Sequence, residues 1–339
     1  TQNFTTSTDS YNTAVGYNSG GAITTGQNNT IVGGLAGDAL TDTDNNTAVG
    51  YAALSADTLG INSTAIGAGA LSSQNFTTAT DSHNVAVGVN AGLSVTTGDS
   101  NTLLGNFSGD ALTTGKNNTA IGRDALGADT LGKASVAVGR AALGSQNFTT
   151  ETNAYNVGVG NSAGGAITTG QYNTLLGGLA GDALTTPNHN VAVGYSALTA
   201  DTQGTSSVAV GRFALGVQNF TTATDVYNVG VGFNVGVSVT TGVQNTLLGG
   251  LAGDALTDAD QNVAIGYAAL GADTLGSRSV AIGRSALETQ NFTTATNTYN
   301  IAIGYDAGAK ITTGTFNTIT GSLAGDALTT GERNTVYGK

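Results

Sequence analysis

The chain has 339 residues, a net charge of −12, only 9% charged residues and 52 glycines, whereas an ordinary globular domain has about 25% charged residues. Ten basic residues, spread thinly, form no basic stripe, so the composition argues against nucleic acid or an anionic membrane as a partner. The absence of cysteine excludes disulfides and thiolate metal sites, and no apolar run of about 18 residues predicts a helix that would span a bilayer.

A pentapeptide, first present as Asn-Thr-Ala-Val-Gly at residues 12–16, recurs to the end of the chain. Its closing glycines follow one another at steps of 17, 17, 17 and 21 residues, so four short repeats form a super-repeat of 72 residues. A fixed period of this size predicts a solenoid with one coil, or rung, for each of the 19 closing glycines. We therefore predict a single continuous repeat domain over 1–339, as a segment of a longer fibrous protein.

The residue four places before each closing glycine is always Asn or Ser. Because identical residues lie above one another in a solenoid, we predict a structural ladder in which their side chains hydrogen-bond amide to amide along a turn. Its members in the first two super-repeats are Asn12, Asn29, Asn46, Ser63, Asn84, Asn101, Asn118 and Ser135.

The three residues before each glycine are mostly Thr, Val, Ile or Ala, which predicts a short strand closed by a glycine turn, and hence an all-β parallel β-solenoid (β-roll). Since alternate side chains share one face of a strand, we predict that Val136 and Val138 point inward and that Ala137 points outward. The outward column would then be uncharged, and we expect another copy of the chain to cover it. The larger members of this predicted inter-chain face are Ile31, Leu103, Leu175, Leu247 and Ile319.

The segments with four extra residues contain the sequence Gln-Asn-Phe-Thr-Thr, and we predict that each bulges out of the coil as a loop. Their phenylalanines either pack locally or contact a partner. The Asn-Phe-Thr pattern is also an acceptor for N-glycosylation. The candidate glycosylation sites are Asn3, Asn75, Asn147, Asn219 and Asn291, and the phenylalanines are Phe4, Phe76, Phe148, Phe220 and Phe292.

No cluster of residues suggests catalysis. Single aspartates such as Asp57 and Asp129 recur along the repeat and are interpreted as solvated turn residues, because acid/base chemistry needs two carboxylates held close in different environments. His83 and His189 stand apart and are interpreted as surface substitutions. The sequence therefore predicts no enzyme activity, no cofactor and no metal site.

Three pentapeptides, Ser-Val-Ala-Val-Gly at 135–139 and 207–211 and Ser-Val-Ala-Ile-Gly at 279–283, resemble the head repeat of trimeric autotransporter adhesins. The resemblance to this YadA-like head covers nearly the whole chain. It implies a left-handed parallel β-roll that assembles as a homotrimer and binds host matrix or surfaces. The rungs of this chain are longer than in that family, and no heptad stalk or anchor strand is present. The repeats of this chain also resemble those of viral tail fibres and other extracellular fibres.

We therefore expect a non-enzymatic extracellular or cell-surface fibre, a rigid rod for multivalent attachment to a host surface, matrix or glycan ligand. One alternative is a viral tail-fibre shaft or receptor-binding spike on a virion surface, and another is a self-assembling extracellular filament subunit. A solenoid enzyme would need a cluster of carboxylates or arginines that breaks the repeat, and the sequence contains none. The expected partners are other copies of the chain and the attachment ligand, with no nucleic acid and no membrane insertion.

Overall fold

A computed structural model describes residues 7–338 of the chain. Within that range it contains strands and turns but no helix, and one parallel sheet of 19 strands stacks as a β-solenoid of about 19 turns. The predicted fold class, an all-β parallel β-solenoid, is confirmed. The strands of this sheet are Thr13–Val15, Thr30–Val32, Thr47–Val49, Thr64–Ile66, Val85–Val87, Thr102–Leu104, Thr119–Ile121, Val136–Val138, Val157–Val159, Thr174–Leu176, Val191–Val193, Val208–Val210, Val229–Val231, Thr246–Leu248, Val263–Ile265, Val280–Ile282, Ile301–Ile303, Thr318–Thr320 and Thr335–Tyr337.

Four small parallel sheets flank the main sheet, each made of two strands with two residues apiece. Each pairs a strand of one rung with a strand of the next, longer rung. The pairs are Gly60–Ile61 with Thr80–Asp81, Gly132–Lys133 with Thr152–Asn153, Gly204–Thr205 with Thr224–Asp225, and Gly276–Ser277 with Thr296–Asn297. The contacts divide the chain into two compact units, Thr1–Tyr172 and Asn173–Lys339, and each is described below by itself.

The register of the main sheet places equivalent residues of successive rungs side by side. Ala48 pairs with Ala65 across a 17-residue step, and Ala65 pairs with Ala86 across a 21-residue step. The extra residues of the longer rungs therefore leave the register unchanged, because they are accommodated outside the strand.

The strands face the opposite way from the prediction. Ala137 is fully buried, whereas Val136 and Val138 on either side of it are partly exposed. The predicted inter-chain face was therefore wrong, because its residues lie inside the coil of a single chain with 0% exposure. These residues are Ile31, Leu103, Leu175, Leu247 and Ile319.

The interior of the coil is narrow, and this explains which residues point inward. Most rungs place Ala in the middle of the strand; two place Gly there, and a Cβ on Gly158 would stand only 2.9 Å from Cγ of Leu143. β-Branched side chains do not fit beside such a leucine, so they occupy the outer face of the strand. Ile31 is accommodated because the residue facing it is Gly37, where a Cβ would lie 3.2 Å from Cδ1 of Ile31.

The closing glycines form a column in which one rung rests directly on the next. Each has a positive φ between 115° and 147°, a region that only glycine occupies readily. A Cβ on Gly122 would stand 2.5 Å from the carbonyl oxygen of Gly139 in the following rung. The glycine of the pentapeptide is therefore required by the stacking as well as by the turn.

Gly122→Ala should lower the stability of the chain, since the backbone strain alone costs about 1–3 kcal/mol and the carbonyl of Gly139 blocks the new methyl group. Gly34→Ala is the matched control, because a Cβ there has no neighbour closer than 3.8 Å and the backbone is not in the positive-φ region. Thermal unfolding followed by circular dichroism compares the two. Equal melting temperatures for both variants would contradict the role assigned to the column.

Candidate functional site

The Asn side chains of the predicted ladder are buried and connect each rung to the next. In Asn29, Oδ1 accepts the backbone N–H of Asn46 at 2.9 Å, and Nδ2 donates to the carbonyl of Thr43 at 2.7 Å. The ladder therefore mainly links side chain to backbone, and only in places amide to amide as predicted. Where the ladder residue is Asn, its side chain therefore holds the backbone of the next ladder residue and fixes the start of the next strand.

Some asparagines of the ladder also make the predicted amide-to-amide contact. Nδ2 of Asn245 lies 3.3 Å from Oδ1 of Asn228, and Nδ2 of Asn317 lies 3.2 Å from Oδ1 of Asn300. In both, the same Nδ2 makes a shorter bond to a backbone carbonyl, so the backbone bond sets the position of the side chain. Nδ2 of Asn334 donates directly to Oδ1 of Asn317 at 2.9 Å.

Where Ser replaces Asn in the ladder, a buried glutamine fills the space. Nε2 of Gln74 donates to Oγ of Ser63 at 2.9 Å and to Oδ2 of Asp57 at 2.6 Å. Its Oε1 accepts Nδ2 of Asn84 at 2.8 Å. We name this group the polar cluster. Its four described copies are Asp57, Ser63, Gln74 and Asn84; Asp129, Ser135, Gln146 and Asn156; Asp201, Ser207, Gln218 and Asn228; and Asp273, Ser279, Gln290 and Asn300.

The aspartate of each polar cluster is fully buried, so the interpretation of these residues as solvated turn residues was wrong. Oδ1 of Asp57 accepts the backbone N–H groups of Gly60 at 3.0 Å and Phe76 at 3.1 Å. Phe76 begins the excursion of the longer rung, so the carboxylate anchors that rung to the previous one. Its three hydrogen-bond donors compensate for the burial of the carboxylate.

The extra residues of the longer rungs bulge at a short exposed segment, residues 77–79, as predicted. The phenylalanines that precede the bulges are 4–7% exposed and pack locally; these are Phe76, Phe148, Phe220 and Phe292. The asparagines of the glycosylation pattern are exposed in all four described copies, namely Asn75, Asn147, Asn219 and Asn291. Asn3 and Phe4 lie outside the described residues. Glycosylation itself remains a prediction.

The side chains that the main sheet turns outward form an uncharged surface in each unit. We define the outer face as the strand residues one and three places before each closing glycine. Every described member is partly or fully exposed, and none is charged: the first column is Val, Ile or Leu until Thr320 and Tyr337, and the second is Thr, Val or Ile. Exposed members include Ile66 in the first unit and Ile303 in the second.

Two further exposed columns flank the outer face. The left-handed column consists of the residues that directly precede the ladder residues; all have positive φ, and His83 and His189 are exposed members of it. Its aromatic rings stack on each other, as in Tyr299 and Phe316, whose centroids are 5.2 Å apart. The post-glycine column consists of the residues that directly follow the closing glycines, and it carries exposed rings such as Tyr195.

The comparisons with known proteins assign no family to this surface. No protein-family model matches the chain, and no curated protein is similar to it at a significant level. Within the part of the chain that the structure describes, no helix is long and apolar enough to cross a membrane. The same residues include no group of three or more His, Asp or Glu side chains that could hold a metal ion. The outer face and its two flanking columns are therefore the candidate functional surface.

Gln146→Ala should destabilise the chain by about 3 kcal/mol, because it leaves a buried carboxylate oxygen of Asp129 without its donor. The matched control is Asn147→Ala, the adjacent but exposed side chain, which should cost under about 1 kcal/mol. Urea unfolding of both variants measures the difference. A loss from Gln146→Ala no larger than that of the control would show that the polar cluster contributes little.

Burial raises the pKa of Asp57 and Asp129 above the ordinary value of 3.8, since desolvation outweighs the hydrogen bonds to the charged form. The folded chain therefore binds these protons at a higher pH than the unfolded chain. Their stabilising contribution is complete below the unfolded pKa and is lost as the pH rises through the raised folded pKa. The melting temperature should consequently fall as the pH rises across this window.

The double variant Asp57→Asn/Asp129→Asn removes both titrations and should flatten this part of the pH profile, although Nδ2 of each new amide would face the glutamine donor and lower stability at every pH. Melting curves across the acidic range compare the variant with the natural chain. A variant profile as steep as the natural one would assign the dependence to other carboxylates.

Proposed function

We propose that this chain is a segment of a non-enzymatic extracellular fibre, in which copies associate through the outer face and the assembled rod attaches to a surface at many equivalent points. The observation that carries the proposal is the outer face itself. Val, Ile, Leu and Thr side chains cover it without a single charge, although the rest of the surface is rich in Asn, Asp and Gln. A contiguous exposed apolar surface of this kind is typical of an interface.

Another copy of the same chain fits the outer face better than an unrelated partner does. The face repeats with the rung, so a partner has to present the same spacing over many rungs. A second solenoid of identical sequence satisfies this condition automatically. Closed symmetry is the common outcome for such contacts, and the resemblance to YadA-like heads favours three copies.

The adhesive role follows from repetition. Equivalent surface groups recur every 72 residues along the chain and again in every copy of an assembly. Weak contacts made simultaneously by many such groups add through effective concentration. The same architecture suits a viral tail-fibre shaft, which would be joined to virion domains in place of a cell-surface anchor. It also suits a self-assembling filament, in which copies add to one another without forming a closed oligomer.

Light scattering on the purified chain across a dilution series tests the proposal, and a stable trimer is the expected result. Val193→Glu/Val210→Glu places two charges on the outer face and should yield monomers that keep the β-sheet signal in circular dichroism, because a buried unpaired charge is costly. The matched control is Ala223→Glu in an exposed bulge, which should leave the mass unchanged.

A monomeric natural chain would contradict the proposed interface. A trimer that survives both outer-face charges would place the interface elsewhere. An assembly whose mass keeps increasing as the protein concentration rises would favour the filament over the closed fibre.

A further inference from the structure

The post-glycine column of the second unit has a regular pattern of rings and guanidinium groups. Large aromatic residues occupy every second rung, and arginine or glycine occupies the rungs between them. In chain order the column is Gly178, Tyr195, Arg212, Phe233, Gly250, Tyr267, Arg284 and Tyr305. The four rings are 47–54% exposed. We name the stretch from Tyr195 to Tyr305 the aromatic strip.

Two of these rings have an edge close to a glycine of the preceding rung. A Cβ built on Gly178 would stand 3.6 Å from Cδ2 of Tyr195, and one on Gly250 would stand 3.8 Å from Cδ2 of Tyr267. Each ring therefore lies beside the glycine of the preceding rung. Because both rings are about half exposed, part of each remains accessible to solvent.

The left-handed column provides a contrast on the same molecule. There Tyr299 stacks on Phe316 at 5.2 Å with 22° between the ring planes, and Arg333 lies over Phe316 at 5.6 Å. Those two rings therefore cover one face of each other. Rings of the aromatic strip are separated by a whole rung and do not stack on one another, although Arg212 lies over Phe233 at 5.7 Å, Arg284 lies over Tyr305 at 5.4 Å, and Tyr195 meets Phe213 edge to face at 5.8 Å.

The arginines of the strip lie between the rings and carry no compensating acid. Arg212 lies 4.6 Å from the centroid of Phe213 and 5.7 Å from that of Phe233, and Arg284 donates to the hydroxyl of Tyr305 at 2.8 Å. Within residues 7–338, neither arginine forms an ion pair. Two guanidinium groups that form no ion pair provide local sites for a carboxylate ligand.

We propose that the aromatic strip binds an extended acidic polysaccharide of β-1,4-linked sugars that lies along the solenoid. Strands stack about 4.8 Å apart, so rings on alternate rungs recur every 10 Å or so. An extended β-1,4-linked glycan has a two-sugar repeat of comparable length and presents an equivalent sugar face at each repeat. The rings stack on those faces, and the arginines between them bind the carboxylates of uronic acid residues.

Single-stranded nucleic acid also combines stacking with positive charge, but the strip favours a glycan. Binding to a phosphate backbone depends on many basic groups along the path of the strand, and here only two arginines accompany four rings. The glycan inference deepens the proposed adhesive function by naming the class of ligand. The glycan inference rests on the proposed fibre function only for the idea that binding serves attachment to a surface.

Isothermal titration of the whole purified chain with β-1,4-linked oligomannuronate tests the inference. A neutral β-1,4-linked manno-oligosaccharide of the same length and an oligothymidylate serve as comparison ligands. We expect the acidic oligosaccharide to bind more tightly than either. Tyr195→Ala/Tyr267→Ala and Arg212→Gln/Arg284→Gln should each weaken its binding on the order of tenfold or more, as expected for the loss of two contacts.

The matched control is Tyr155→Ala/Tyr227→Ala, which removes two tyrosines of the left-handed column that are 50% and 53% exposed. This variant should bind the acidic oligosaccharide within about twofold of the natural chain. Absence of binding, equal binding of the neutral oligosaccharide, tighter binding of the oligothymidylate, or an equal loss in the control would each overturn the inference. A trimer that binds no glycan would refute the strip alone, whereas a monomer that binds it would refute the fibre interface alone.

Discussion

The narrow interior of the coil is the constraint on which the rest of the structure depends. Each inward side chain has to fit beside those of its own rung and of the rungs above and below. Gly37 leaves room for Ile31, while a Cβ at Gly158 would stand only 2.9 Å from Cγ of Leu143. A rung with a large residue in its strand needs glycine opposite, and a rung with alanine or glycine there admits leucine. The pattern of large and small inward residues therefore repeats with the super-repeat.

The same constraint explains the buried polar cluster and the outer face. Asp57 and Gln74 occupy the inward position that Ile23 and Leu40 occupy in the two preceding rungs. Their hydrogen bonds compensate for their burial and tie the longer rung to its neighbour. Because the interior accepts Ala and Gly in the strands, β-branched residues lie outside, and the outer face becomes apolar as a consequence of the packing within one chain.

The fold could be predicted from the sequence because a period repeated through the whole chain outweighs local ambiguity. The sequence did not reveal which face of the strand points inward, because Val-Ala-Val suits either orientation. In wider folds, branched residues usually occupy the interior. The sizes of neighbouring residues held the missing signal: the middle strand residue is large only where glycine stands opposite. The burial of Asp57 was missed for a related reason, since a lone aspartate in a turn-like sequence looks solvated until its column is compared with Ile23 and Leu40.

The sequence predicted an uncharged outward surface, but it named the wrong residues for that surface. An uncharged outward column in need of a cover was expected, and such a face exists, although it consists of the neighbours of the residues named for it, such as Val138 instead of Ala137. The aromatic strip had a signal in the sequence, because its residues directly follow successive closing glycines. What the structure adds is that the rings of Tyr195 and Phe233 are about half exposed.

Disulfide trapping tests the central claim, that the outer face joins copies of the chain, most directly. The chain contains no cysteine, so a single Val210→Cys on the outer face introduces the only thiol. Mild oxidation in dilute solution, followed by non-reducing electrophoresis, should give chains linked through this residue, while Tyr227→Cys on the left-handed column should stay unlinked. An unlinked Val210→Cys chain, or equal linkage at both positions, would contradict the account.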